Sequence, residues 1–296
     1  LCSAYNLDPS SGPGTESYSR NRTIGVFASA ELGYRSMVYL TLTGRNDWAS
    51  QLVNTNHPSV FYPSIGLSGV ISEMMKLPEF VSFLKVRASY TEVGSPISKQ
   101  GLTPGTVTDD MIGGVINPNS IYPFPDFEPE RTKSYELGLN LRLWNNRINI
   151  DATLYQSNTY KQLFLSSLPP TSGYSGFYVQ TGNVRNRGIE LSIGYTDKFG
   201  SFGYSTNVTY TANENKILRM ARGYVNPIDK STFDITELTL TEAGGVYLRE
   251  GGSIGDVYVK GILQRDRNKM LVEEGGGYQI DRSQRIKIGS ANPDYT

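Results

Sequence analysis

The run Thr132-Lys133-Ser134-Tyr135-Glu136-Leu137-Gly138-Leu139-Asn140-Leu141-Arg142-Leu143 decides the fold. Tyr135, Leu137, Leu139, Leu141 and Leu143 fall on one face of an extended chain, and Glu136, Gly138, Asn140 and Arg142 on the other. That is the period of two of a strand with two differently solvated faces. After Trp144-Asn145-Asn146 the pattern resumes, with Ile148, Ile150, Ala152 and Leu154 alternating with Asn149, Asp151, Thr153 and Tyr155. Asn tolerates the dihedrals of a tight reversal, so the pair reads as a hairpin. A third stretch repeats it, Ile189, Leu191 and Ile193 against Glu190, Ser192 and Gly194.

Extending the same reading along the chain places strands at 20–32, 36–46, 61–73, 83–93, 132–143, 147–158, 179–195 and 201–216. The joints 33–35, 74–82, 144–146 and 196–200 are short, whereas 47–60, 94–131 and 159–178 are long. Short and long joints therefore alternate, as in outer-membrane barrels, which have tight periplasmic turns and longer extracellular loops. A soluble β-sandwich, for instance a carbohydrate-binding or adhesive module, shows the same local alternation. Strand length argues for the barrel. A strand of about 10–12 residues at about 3.3 Å each, tilted by about 40°, spans roughly the 25 Å apolar band of a membrane barrel, while soluble strands average about 5–6 residues.

Composition agrees. Twenty Tyr and 31 Gly among 296 residues, with only 38% hydrophobic residues, suit a wall with two unlike surfaces and aromatic rings at the membrane boundary. No apolar run approaches the about 20 residues of a spanning helix. Lys+Arg and Asp+Glu are both 28, which removes the usual electrostatic case for nucleic-acid binding. With Cys2 and His57 as the only residues of their types, there is neither an internal disulfide nor a Cys/His metal cluster. No helix-period segment of useful length appears, and no phosphate loop or nucleophile elbow.

The fold class expected is thus an all-β, antiparallel, up-and-down transmembrane barrel wall of about eight to ten strands. Eight strands alone would leave two unpaired edges, costly in lipid, and the chain runs from Leu1 to Asn292-Pro293-Asp294-Tyr295-Thr296 with no signal peptide. An internal piece of a larger barrel is expected. The segment 1–18 reads as an extracellular loop, and 217–252 as the least regular part, with 257–262 a candidate strand. Glu273-Glu274-Gly275-Gly276-Gly277-Tyr278 reads as a flexible turn.

Several strings carry a family resemblance. Gly44-Arg45-Asn46-Asp47-Trp48, Phe61-Tyr62-Pro63-Ser64-Ile65-Gly66, Leu84-Lys85-Val86-Arg87-Ala88-Ser89-Tyr90, Glu128-Pro129-Glu130-Arg131-Thr132, Thr181-Gly182-Asn183-Val184-Arg185-Asn186-Arg187-Gly188-Ile189-Glu190 and Gly252-Ser253-Ile254-Gly255-Asp256-Val257-Tyr258 resemble the barrel of SusC/RagA-type TonB-dependent transporters, in the same order. The resemblance implies a Gram-negative outer-membrane location and a roughly 22-stranded barrel plugged by an N-terminal domain. It also implies energy from the TonB complex through a plug segment, and a SusD-like surface lipoprotein. The cargo implied is a glycan or an oligopeptide. Residues 1–296 would then be part of the barrel domain, with plug, early strands and C-terminal strands outside them. A structural or secretion barrel is the remaining alternative.

No catalytic, metal or cofactor residues are expected. Glu128 and Glu130 with Asp126 could be read as a glycosidase pair, but a Pro-rich loop offers no burial to raise one carboxyl. Asp109-Asp110 lacks the ladder of a Ca²⁺ loop. Candidate substrate or lid contacts are Trp48, Tyr122, Phe124, Asp126 and Phe127, because rings stack on sugars and carboxylates accept hydroxyl hydrogen bonds. The competing reading makes Trp48 part of an aromatic girdle and lets the prolines at 123, 125 and 129 stiffen the descent into the next strand. His57, beside Pro58, is expected at the surface without a proton-relay partner.

Overall fold

The computed structural model describes residues 20–53, 55–95, 121–122, 127–167, 174, 176–225, 230–239 and 245–289. Their dominant element is one sheet in which eight long strands follow one another as an antiparallel meander. The strands are β1 (Thr23–Tyr34), β2 (Val38–Ala49), β3 (Ser59–Val70), β4 (Val81–Ser95), β6 (Glu130–Leu143), β7 (Ile148–Ser167), β8 (Gly176–Phe199) and β9 (Phe202–Arg219). A two-residue strand β5 (Ile121–Tyr122) pairs in parallel with the upper end of β8. All eight strands read from the alternation are present.

The turns follow from residue chemistry. Arg35 and Ser36 (φ 49° and 58°) reverse β1 into β2, and Trp144, Asn145 and Asn146 (φ 48°, 55° and 66°) reverse β6 into β7. Gly200, at φ 58°, reverses β8 into β9. Between β3 and β4 a four-residue helix α1 (Ile71–Met74) takes the last residues of the expected third strand, which ends at Val70.

The structure departs from the sequence reading in two further places. First, β7 and β8 run to 20 and 24 residues, so most of the expected long loop 159–178 is strand. Pairing continues from Tyr160↔Asn183 up to Ser167↔Gly176. Lys161 (φ 60°) and Gly182 (φ 102°), opposite each other, bend both strands and disturb the alternation that would have betrayed them. Second, the last quarter is not irregular. It contains β10 (Ala221–Val225) paired with β11 (Thr232–Ile235), and a four-stranded sheet of β12 (Glu237–Thr239), β13 (Gly245–Arg249), β14 (Val257–Leu263) and β17 (Ile280–Gly289). The candidate strand at 257–262 is β14. The glycine-rich segment is the tight hairpin of β15 (Glu273–Glu274) and β16 (Gly277–Tyr278), with Gly275 and Gly276 at φ 64° and 79°.

The register makes the two faces of the wall explicit. Leu84, Leu141 and Ile150 align, as do Val86, Leu139, Ala152, Leu191 and Tyr210, and Ala88, Leu137, Leu154, Ile189 and Ala212. These rows form a continuous apolar face. Leu67, Leu137, Leu154, Ile193 and Val208 on it are each exposed by two-fifths or more, with no second layer against them among the described residues. This excludes the sandwich alternative, which needs a facing sheet. The buried clusters lie instead at the long-loop end. One contains Ala49, Leu52, Val60, Phe127 and Tyr178, and another Val184, Ile217, Met220 and Leu248.

Candidate functional site

The site is the wall itself. Its apolar face is framed by aromatic residues at two heights. At the short-turn end Phe80 meets Trp144 with ring centroids 6.3 Å apart, and Tyr204 touches Tyr195, Phe199 and Phe202 at 5.4, 5.9 and 6.4 Å. Toward the long-loop end stand Trp48, Phe61, Tyr210 and the pair Tyr90–Tyr135, 5.0 Å apart. These rings sit on progressively lower hydrogen-bond rows from β2 to β9, as a level girdle must when strands tilt by about 40°. Amphipathic rings prefer the boundary between hydrocarbon and water.

The opposite face is wet and cross-linked. Arg87 on β4 donates to Asp151 Oδ1 on β7 at 2.9 Å and to Thr153 Oγ1 at 2.7 Å, and Asn140 Nδ2 on β6 donates to Asp151 Oδ2 at 3.0 Å. Hydroxyl and amide pairs continue the lattice: Ser64–Thr91 at 3.1 Å, Ser192–Asn207 at 3.1 Å and Asn215–Asn186 at 2.8 Å. A polar hollow of about 480 Å³ lies on this face beside Arg87, Glu136, Thr153, Ser157 and Glu190. Such groups are satisfied only on a hydrated side, so this face is the lumen and the apolar one faces lipid.

The rim of the lumen is held by loop anchors. Ser253 Oγ and the Ile254 N–H donate to Asn215 Oδ1 at 3.0 and 2.9 Å, while Asp256, nearly buried, takes Lys287 Nζ at 2.8 Å. On the other side Phe127, 1% exposed, is enclosed by Leu52, Val60 and Tyr178. Behind it the Glu128 N–H donates to Gln180 Oε1 at 2.8 Å, and Gln180 Nε2 donates back to the Glu128 carbonyl. The Glu128 carboxylate receives Lys161 and lies 3.9 Å from His57 Nε2. Partial burial pushes this carboxyl up, but the hydrogen bond and charge of Lys161, with His57 and Arg131 behind, hold it below the ordinary Glu value.

The expected contact residues part company here. Trp48, 43% exposed, stands on the lipid face in register with Ile24 and Ser59, so its ring belongs to the outer girdle and not to the lumen. Phe127 has no free ring face in this fold and acts as a packing anchor. Tyr122 is half-buried at the rim, its ring 5.1 Å from that of Tyr174 and edge-on to it. Phe124 and Asp126 lie outside the described residues. His57 is a surface residue as expected, but it has a carboxylate neighbour, Glu128, which sequence separation hid. The sequence reading missed Gln180 altogether, because a lone Gln carries no motif. Among the described residues no group of His, Cys, Asp and Glu could hold a metal ion.

A strand wall with a greasy exterior, aromatic girdles at two heights and a hydrogen-bonded polar interior is the wall of an outer-membrane β-barrel. No helix among the described residues is long and apolar enough to cross a membrane, and none is needed. The chain belongs to the TonB dependent receptor-like, beta-barrel family, whose model matches residues 3–291. It is similar to TonB-dependent receptor P3 of Formosa agariphila, with 25% identity over 92% of this chain and 29% of that protein. TonB-dependent receptor P39 of the same organism shows 27% identity over 92% of the chain and 25% of the relative. Among solved structures, the RagAB peptide transporter superposes with a TM-score of 0.70 at 18% identity, over 92% of this chain and 30% of that one. The wall therefore has the fold of the matching part of the RagAB barrel, and the chain spans less than a third of the length of these relatives.

Proposed function

We propose that the protein containing this wall imports large hydrophilic nutrients, glycans or oligopeptides, across the outer membrane. It would draw energy from the TonB complex through a plug segment and work together with a SusD-like surface lipoprotein. The observation that carries the reading is the lumen face, where Arg87, Asp151, Asn140 and Thr153 form a fixed polar lattice over three strands. Such a surface exchanges hydrogen bonds with a hydrated cargo. Likeness to the RagAB peptide transporter, and to receptors named TonB-dependent, supports import over secretion. Tyr122, with Phe124 and Asp126 beside it in sequence, remains the proposed cargo or lid contact.

Deleting the parent gene and scoring growth on individual glycans and on peptides as sole nutrient tests the proposal. Loss of growth on at least one, restored by the intact gene but not in a strain without TonB, supports it. Unchanged growth on every substrate, or rescue that ignores TonB, returns the secretion reading. Co-purification of a lipoprotein from the next reading frame tests the partner separately.

A further inference from the structure

Above the outer aromatic girdle, the lipid-facing side of the wall changes character. Two rows beyond Tyr210 on β9 the outward position is Glu214, and the next is Lys216, in register with Arg187 and Arg185 on β8. Glu214 therefore lies about 13 Å further along the strand than Tyr210, or about 10 Å higher after tilt, beyond the edge of the hydrocarbon. The same change occurs four strands away on β4, where Glu92 follows Tyr90 and is bridged by Arg131 at 3.3 Å and Lys133 at 3.2 Å.

In both groups one carboxylate holds two cations side by side. Glu214 receives Arg187 Nε and lies 3.8 Å from Arg185 Nη2. Arg187 is half exposed, its two terminal nitrogens have no protein acceptor among the described residues, and Lys216 has no ion pair there. Three cations thus face one carboxylate. Directly below them, a groove of about 480 Å³ is lined by Leu154, Ile189 and Ala212, with Gln156, Arg187 and Glu214 at its rim. The register puts all six side chains on the outward face. The small side chain of Ala212, between larger neighbours, leaves the hollow.

A cation pair above an apolar slot, turned toward lipid and away from the lumen, matches an amphiphile with an anionic head. We propose that this groove binds a phosphorylated glycolipid of the outer leaflet. One acyl chain lies over Leu154, Ile189 and Ala212, and a phosphate is held by the free edge of Arg187 with Lys216 and Arg185 around it. Arg suits the task because its planar fork meets two phosphate oxygens at once, and Glu214 fixes that fork in place. The cargo route is not involved, so the site concerns how the barrel is held in its leaflet and not what it imports.

Native mass spectrometry of the full-length receptor in a neutral detergent tests this. The probes are purified bisphosphorylated lipid A, the same lipid after enzymatic removal of both phosphates, and inorganic phosphate alone. The expected result is retention of phosphorylated lipid A at least roughly tenfold tighter than the dephosphorylated form, that preference being lost in Arg187→Gln/Lys216→Gln. Ala212→Phe, which fills the slot, weakens both lipids. Equal retention of the two lipids by the wild type, full competition by millimolar inorganic phosphate, or an unchanged preference in the double variant overturns the proposal. The wild-type comparison stands even where the double variant does not assemble.

Discussion

The side-chain amide of Gln180 and the backbone of Glu128 satisfy each other, one hydrogen bond in each direction, across a sequence distance of 52 residues. The amide does what a paired strand would do for a single residue, closing both hydrogen-bonding groups of Glu128 where no strand is available. It ties the chain leading into β6 to the bend in β7 and β8, since Gln180 Nε2 also donates to the Lys161 carbonyl at 3.2 Å. With Phe127 locked beside it, this is how a long loop is brought down onto the wall in a fixed place.

Gln180→Leu keeps the size of the side chain and removes both bonds. The Glu128 N–H and carbonyl then lose their partners, a local cost of about 1–2 kcal/mol at a half-buried site. Hydrogen exchange at residues 127–129 of the intact receptor should rise by roughly tenfold or more, with β6 and β7 unchanged. Unaltered exchange there would show that Phe127 alone holds the segment.

Glu128 also makes this anchor sensitive to acid. Its carboxyl is held below the ordinary Glu value of 4.5, so its contribution to the folded loop is fully present above that value and fades as pH falls through the lower, folded-state one. Exchange protection of 127–131 should therefore be flat from neutral pH down to about 5 and fall only in more acidic solution. In Glu128→Gln it should be lower at neutral pH and flat throughout. Loss of protection already between pH 7 and 6 would show that the Glu128 carboxylate is not what holds the loop.

What the sequence made legible was what period two encodes. Leu137, Leu139 and Leu141 announce their face without help from any other strand, and eight such segments suffice for the wall. Trp48 was readable as girdle from its place at a strand end. The upper parts of β7 and β8 were not, because Lys161 and Gly182 take left-handed φ and interrupt the period of two. β10 to β16 are strands of two to seven residues, too short for a period of two to stand out. Gln180 and the cations at 185, 187 and 216 gain meaning only when the register sets distant residues side by side.

Which face meets lipid can be tested with one pair of substitutions at the same height. Leu137 pairs with Ala88, and Ser89 with Glu136, on opposite sides of the wall. Leu137→Arg places a cation in hydrocarbon at a cost of about 2–4 kcal/mol near the midplane. Ser89→Arg places it in the lumen beside a carboxylate. Heat-modifiable mobility of the folded barrel on gels should be reduced strongly for the first and little changed for the second. The reverse outcome would invert the wall.

Gly188 on β8 carries a tighter constraint. A methyl group added there would come within 2.3 Å of the Ala212 carbonyl oxygen and 2.7 Å of the Tyr155 hydroxyl. Tyr155 can swing away, but the carbonyl belongs to the β8–β9 ladder and cannot move without breaking it. Gly188→Ala should thus lower the yield of assembled barrel, whereas Gly203→Ala, which meets nothing within 4 Å, should not. Equal yields would mean that the ladder yields locally at no cost.

The Arg87–Asp151 pair separates a stabilising contact from a surface for cargo. Its two side chains are 41% and 37% exposed, so water screens them and the pair is worth no more than about 1 kcal/mol to the fold. Breaking it nevertheless disturbs two further neighbours, because Asp151 also accepts from Asn140 and Arg87 also donates to Thr153. A cycle of Arg87→Gln, Asp151→Asn and the double variant should therefore show coupling below about 1 kcal/mol in unfolding. In nutrient uptake, by contrast, each single change should alter the apparent affinity for cargo while the amount of folded receptor stays constant. If uptake follows stability in all three variants, the lattice on the lumen face is scaffolding alone, and the cargo must be recognised at the rim near Tyr122.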